Sequence, residues 1–129
     1  MNHSDPSRDP VIVAAARTAI GKAKRGSLVT VRPDEMASLV VQELLHRAPA
    51  LKPEEIDDLI LGCAFPEGEQ GMNMARLVVF RSGLPVSVPA ETINRFCSSG
   101  MQSIAHAVFA IKAGQMDVAL AGGDRKSVV

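Results

Sequence analysis

Apolar and polar positions alternate along the chain in two periods, and the period changes several times. Pro10 to Ala16 is a short continuous apolar run and predicts a buried strand. Asp34 to Arg47 has the 3.6-residue period of a helix, with Met36, Leu39, Val40, Leu44 and Leu45 on its apolar face. Asp34 and Glu35 open that helix and His46 and Arg47 close it, each matching the sign of the nearby helix dipole. Pro49 prevents continuation, and Pro53 to Ile56 predicts a short helical turn. Asp57 to Phe65 holds a second buried run, Leu59 to Ala64. After a turn-rich Pro66 to Gly71, Asn73 is placed to cap a helix carried by Met74, Leu77, Val78 and Arg81. Gly83 and Pro85 end it. Pro89 to Phe96 is extended. Met101, Ile104, Ala105, Val108 and Ile111 then mark a helix that runs to about Lys112 and stops at Gly114. Asp117 to Ala121 predicts a fourth strand, followed by Gly122 and Gly123.

Strands alternating with helices imply an α/β fold, with a mostly parallel sheet joined by right-handed crossover helices. No internal repeat interrupts that order. Residues 1–9 form a polar lead expected to be flexible, 10–123 carry the periodic pattern, and 124–129 change character. At 129 residues the chain suits one domain. With four Phe and no Trp or Tyr, the core must be aliphatic. Fourteen basic residues balance fourteen acidic ones, so no field attracts nucleic acid, and bases would find few stacking platforms. No window reaches membrane-span length. The first nine residues lack the apolar stretch of a secretory signal, and their acidic residues fit a mitochondrial presequence poorly. Arg17 to Leu28, with four basic residues and two glycines, reads as a solvated loop, with phosphate contact as the alternative.

The candidate chemistry sits at Cys97. An extended segment ends at Phe96 and a helix follows, so the thiol stands at a helix N-terminus, among backbone N–H groups and the positive end of the dipole. Both favour thiolate, the nucleophilic form. The ordinary fate of a cysteine is packing, and Cys63, inside a buried run, fits it. Cys97 remains open between packing and nucleophile on these grounds alone. The two cysteines are too far apart in sequence for a metal-type pair, and both are expected as thiols in a reducing cytoplasm. A nucleophilic cysteine ordinarily needs a base. His106 lies about 13 Å further along the same helix, His46 ends another helix, and His3 sits in the lead. None is a convincing partner.

Asn94-Arg95-Phe96-Cys97-Ser98-Ser99-Gly100-Met101-Gln102-Ser103-Ile104 closely resembles the thiolase signature around the acyl-accepting cysteine. Further matches run in order. Arg17-Thr18 with Ile20-Gly21, then Gly26-Ser27-Leu28, resembles the family's first loop. Gly71-Met72-Asn73-Met74-Ala75-Arg76 resembles its Gly-x-Asn-x-Ala-Arg segment. Ala119-Leu120-Ala121-Gly122-Gly123 resembles the strand that ends in a Gly-Gly pair. The resemblance covers about residues 10 to 123. Glu67 to Gly71 looks most like the bacterial acetyl-CoA acyltransferases of fatty-acid breakdown.

The resemblance implies a thiolase-like N-terminal half, incomplete as a fold of two similar α/β halves. It implies thiolytic cleavage of 3-ketoacyl-CoA by coenzyme A, or the reverse condensation of two acetyl-CoA molecules. Cys97 would carry the acyl group as a thioester. It further implies acyl-CoA and coenzyme A as substrates, no cofactor and no metal. Homodimers or homotetramers are implied too, with the strand before Cys97 near the dimer interface. Neither nucleic acid nor membrane is an expected partner. Some positions depart from the pattern. Ala19 stands where the family usually has Pro, and Lys24 and Arg25 replace the usual Phe and Gly. Asp124-Arg125-Lys126-Ser127-Val128-Val129 replaces a Glu-Ser-Met type continuation. The family's coenzyme A loop, Asn-containing oxyanion motif, Gly-His-Pro histidine and second cysteine have no matching position here. The expectation is therefore a portion with little or no turnover alone. A non-catalytic binding or dimerising piece is one alternative, and a ketosynthase-type condensing domain, ranked below thiolase, is the other.

Overall fold

A computed structural model describes residues 6–124. Its sheet has three parallel strands in the order β2-β1-β3, where β1 is Asp58–Cys63, β2 is Ala90–Ile93 and β3 is Ala119–Asp124. Three helices connect and cover them: α1 (Pro33–Arg47), α2 (Met74–Ser82) and α3 (Ser99–Lys112). The α/β expectation holds, and the expected helices lie within a residue or two of the observed ones.

The period of two along β1 divides the molecule. Leu59, Leu61 and Cys63 point to one side and join Val41 of α1, Met74, Ala75, Val78 and Val79 of α2, and Leu84, Val88 and Leu120 in one core. Ile60 and Gly62 point to the other side, beneath α3. The chain travels one way from β1 to β2 through α2, then back past β1 to β3 through α3. Connections of one hand that travel in opposite directions must lie on opposite faces of the sheet, and α2 and α3 do.

Local chemistry explains the helix ends. Asn73 accepts a hydrogen bond from Arg76 N–H at 3.3 Å, as an N-cap should. Gly83, at φ +81°, supplies the left-handed residue that closes α2. Buried Asp34, in the first turn of α1, pairs with Arg32 at 3.0 Å and Arg81 at 3.5 Å, tying α1 to the end of α2.

Three expectations change. Pro10 to Ala16 forms no strand: Val11, Ile12 and Val13 are 80% or more exposed. A strand exists only by pairing, and no described strand is hydrogen-bonded to this run. In α1 the covered face is Ala37, Ser38, Val41, Leu44 and Leu45, rotated from the expected one, so Leu39 is exposed. The Gly122-Gly123 pair lies inside β3 rather than after it. Within the lead, Arg8 donates to Ile111 O at 2.9 Å and Met116 O at 3.0 Å and pairs with Asp117 at 2.7 Å. Residues 1–5 of that lead, and 125–129 of the differing tail, lie outside the described residues.

Candidate active site

Open α/β sheets present ligands with the carboxyl ends of their strands. Cys97 lies there, exposed, in a single 3-10 turn (Phe96–Ser98) between β2 and α3. Three features position it.

The first is the close approach of α3 to the sheet. A Cβ on Gly62, near the end of β1, would lie 2.3 Å from Ser99 C and 2.6 Å from Gly100 N. One on Gly123 of β3 would lie 2.8 Å from Gly100 Cα. The head of the helix thus rests directly on β1 and β3 because no side chain separates them. Ser103, fully buried, donates to its own helix at Gly100 O and lies 2.7 Å from Gly122 O, which adds a polar stitch in the same seam.

The second is the turn before the helix. Phe96 has φ +48°, a left-handed conformation that costs a non-glycine residue about 1–2 kcal/mol. Its N–H donates to Asn94 Oδ1 at 2.9 Å, while Asn94 Nδ2 donates to Ala64 O at 3.2 Å, just past β1. Buried Ser99 accepts from Arg95 N–H at 2.9 Å and donates to Phe96 O at 2.6 Å. The N–H groups of Ser98 and Ser99, expected to face the thiol, instead donate to the carbonyls of Arg95 and Phe96.

The third is the bracket on β2. Asn73 Nδ2 donates to Ala90 O at 2.8 Å, and its Oδ1 accepts from Thr92 Oγ1 at 2.7 Å. Thr92 Oγ1 in turn accepts from Ala75 N–H at 2.9 Å. Arg76 donates to Val88 O and to Val86 O, the latter at 2.8 Å, and its guanidinium covers the Phe80 ring. The Gly71–Arg76 motif therefore holds the strand that delivers Cys97.

The other chemistry-bearing residues lie elsewhere. Cys63 is fully buried in the α1/α2 core, and it forms no disulfide with Cys97. His46 is exposed at the end of α1. His106, about two turns into α3, contacts Glu91 Oε1 through Nδ1 at 3.3 Å. These two residues line an open groove of about 430 Å³ with Asp58, Ile60 and Phe109. Asp58 Oδ1 is enclosed there without a hydrogen bond. Burial, and then the neighbouring Glu91 charge, raises the Asp58 carboxyl above its ordinary value. Sequence reading missed this cluster, because its members come from three separate elements. It also missed the role of Asn94, although an Asn two residues before a strained backbone position is a recognisable turn signal. The basic loop is exposed at Arg17, Lys22, Lys24 and Arg25. Among the described residues, no group of three or more His, Cys, Asp or Glu side chains could hold a metal ion, and no helix is long and apolar enough to cross a membrane.

Comparison with known proteins gives a consistent picture. The family profile described as "Thiolase, N-terminal domain" matches residues 10–126. A 3-ketoacyl-CoA thiolase of Bacillus subtilis (strain 168) is 56% identical over 116 residues, which are 90% of this chain and 29% of that protein. A 3-oxoadipyl-CoA/3-oxo-5,6-dehydrosuberyl-CoA thiolase of Escherichia coli (strain K12) is 47% identical over 116 residues, with the same coverage of each chain. The crystal structure of the Bacillus anthracis acetyl-CoA acetyltransferase superposes with a TM-score of 0.81 at 41% identity, covering 88% of this chain and 28% of that one. The chain spans less than a third of the length of these relatives.

Proposed function

The chain belongs to the thiolase family through its N-terminal domain, and from that membership we propose that it is the nucleophile-bearing part of a thiolase-type acyltransferase. The observation that carries the proposal is the placement of Cys97: exposed, at the carboxyl end of the sheet, at the head of α3, inside the matched residues. In the degradative direction, Cys97 sulfur attacks the 3-keto carbonyl of a 3-ketoacyl-CoA. The bond between C2 and C3 breaks, and its electron pair leaves with the acetyl-CoA carbanion, which takes up a proton. The acyl group remains on Cys97 as a thioester. Coenzyme A thiol then attacks that thioester, releases acyl-CoA and returns the cysteine. This is two-step covalent catalysis. The substrates are coenzyme A thioesters, the site needs no separate cofactor or metal, and the compartment is the cytoplasm. The full assembly is a homodimer or homotetramer. Residues 10–123 form the catalytic portion, preceded by a lead at 1–9 and followed by a tail at 124–129.

Acylation tests the reading without requiring turnover. The full chain is incubated with acetyl-CoA, and its peptides are analysed by mass spectrometry. An acetyl adduct on the Cys97 peptide, absent from Cys97→Ser and released by free coenzyme A, is the expected result. An adduct no more abundant on Cys97 than on Cys63 overturns the assignment. Thiolysis of acetoacetyl-CoA by this chain alone should be slight, because general base and oxyanion donors each contribute factors of about 10² or more. The residues that the resemblance assigns to those roles have no matching positions here.

A further inference from the structure

The geometry points to Asn94 as the positioning residue of the Cys97 nucleophile: its side-chain amide holds Phe96 in the left-handed conformation that presents the thiol. This inference rests on the proposed role of Cys97 and deepens it. The two ends of the Asn94 amide do different work. Oδ1 takes the Phe96 N–H at 2.9 Å and so stabilises the residue next to the nucleophile. Nδ2 donates to Ala64 O at 3.2 Å, on the chain leaving the central strand β1. The amide therefore references the turn to the centre of the sheet rather than to its own edge strand.

The need for such a brace follows from Phe96. A large side chain disfavours φ +48°, because its Cβ crowds the carbonyl oxygen. The ring, 71% exposed, has little packing to hold it there. Hydrogen bonds must supply the hold. Those made by Ser98 and Ser99 close the 3-10 turn through the carbonyls of Arg95 and Phe96. Among the described contacts, Asn94 alone engages the Phe96 N–H by a side chain. Without it, Phe96 relaxes toward an ordinary negative φ, the turn rotates, and the sulfur that follows leaves its position at the head of α3.

Cys63 makes the test self-controlled. It is fully buried, so it reacts only when the fold opens, whereas Cys97 is exposed. Both thiols of the full chain are alkylated with iodoacetamide across pH 6 to 9, and the rates are read peptide by peptide. Asn94→Ala is expected to slow Cys97 by about fivefold, the equivalent of one net hydrogen bond, and to displace its pH–rate profile, while Cys63 stays protected. Phe96→Gly removes the strain, because glycine adopts φ +48° freely. Its Cys97 is expected to react within about twofold of the wild type and to become insensitive to Asn94→Ala. A scaffolding role would not be rescued in this way.

A wild-type rate and profile in Asn94→Ala overturns the inference, and so does a slow Asn94→Ala/Phe96→Gly double variant. If Asn94→Ala opens the fold, exposing Cys63, the comparison passes to Phe96→Gly with and without Asn94→Ala. Equal rates support positioning; loss of the fold in the double variant assigns Asn94 to scaffolding and overturns it. A wild-type Cys97 no faster than an exposed model thiol refutes the nucleophile reading itself, a result distinct from every outcome with the variants.

Discussion

Gly62→Ala tests the seam on which the site depends. The added Cβ would meet Ser99 C at 2.3 Å, Ser99 O at 2.4 Å and Gly100 N at 2.6 Å. All three are backbone atoms of α3's head, so no rotamer change can relieve the overlap. The helix must retreat by about 1 Å before the contacts become ordinary. Overpacking of that kind costs about 1–3 kcal/mol. At roughly 4 °C per kcal/mol for a chain of this size, the melting temperature should fall by about 4–12 °C. The retreat also carries Cys97, two residues ahead of Ser99, away from the sheet, so its alkylation rate and acylation by acetyl-CoA should change together. Gly122→Ala is the matched control. It lies one strand over, yet an added Cβ there meets nothing within 4 Å. Its melting temperature should stay within about 2 °C of the wild type, as for a substitution away from packed features. Differential scanning fluorimetry on both variants, with peptide-resolved alkylation, decides the matter. Equal melting temperatures and equal Cys97 rates for the two variants would refute the claim that direct backbone contact sets the position of Cys97.

Other expectations concern pH, capping and exposed surface. The Asp58 carboxyl is raised in the fold by burial and by Glu91, so its contribution to stability is fully present below the unfolded carboxylate value and is lost as pH rises through the higher folded value. Asp58→Asn should therefore gain stability at pH 7 and flatten the acid-side slope in urea titrations; an unchanged slope would sink this account. Asp57 has the opposite sign. Its Oδ2 accepts from Val118 N–H at 3.0 Å and Asp117 N–H at 2.7 Å, bonds that lower its carboxyl. Its stabilisation is present above the unfolded value and lost as pH falls through the folded one, so Asp57→Asn should destabilise at pH 7 and lose that effect once the pH has fallen below the lowered folded value. Asn73→Ala removes the α2 cap and the Ala90 and Thr92 bonds, and should cost about 1–2 kcal/mol in chemical denaturation. Met101, Ile104 and Phe109 are 75%, 48% and 65% exposed on α3. A triple change to Gln, Glu and Lys should raise the solubility of the chain and shift its sedimentation toward monomer; persistent self-association would place the sticky surface elsewhere, at Val11 to Val13 for example.

Much of the architecture was legible because it rests on local signals. Asn73, Gly83, Pro49 and Gly114 are punctuation whose physics is contained in a few residues, so the ends of all three helices came out within a residue or two. The central strand was legible because Leu59 to Cys63 is apolar on both faces, as a strand covered on both sides must be. Pro10 to Ala16 carries the same signal and forms no strand. The pattern reports a capacity to be buried, whereas a strand also requires a hydrogen-bonding neighbour that composition cannot supply. At the site, the strand–turn–helix frame of Cys97 was readable. The positive φ of Phe96 was not, because a phenylalanine there contradicts local preference and is held by contacts with Asn94. Such local contradictions concentrate at functional sites, where surrounding structure over-determines the backbone.

The face of α3 is the instructive failure. Its sequence puts large apolar side chains at helical spacing, and the usual inference turns them inward. The structure buries Ser99, Ser103 and Ala107 instead and leaves Met101, Ile104 and Phe109 outside. The inversion follows from distance. A helix that rests on Gly62 and Gly123 through its own Gly100 has no room for large side chains in the seam, so small residues take the inner face and the large ones are displaced outward. Direct backbone contact fixes the head of the helix more tightly than interdigitated side chains would, because it leaves no rotamers to adjust. The same choice leaves an apolar outer face uncovered among the described residues. Precise placement of Cys97 and surface demanding cover are thus two consequences of one small-residue seam. Substitutions in the seam should move Cys97, whereas polar substitutions on the outer face should change association and leave Cys97 reactivity intact.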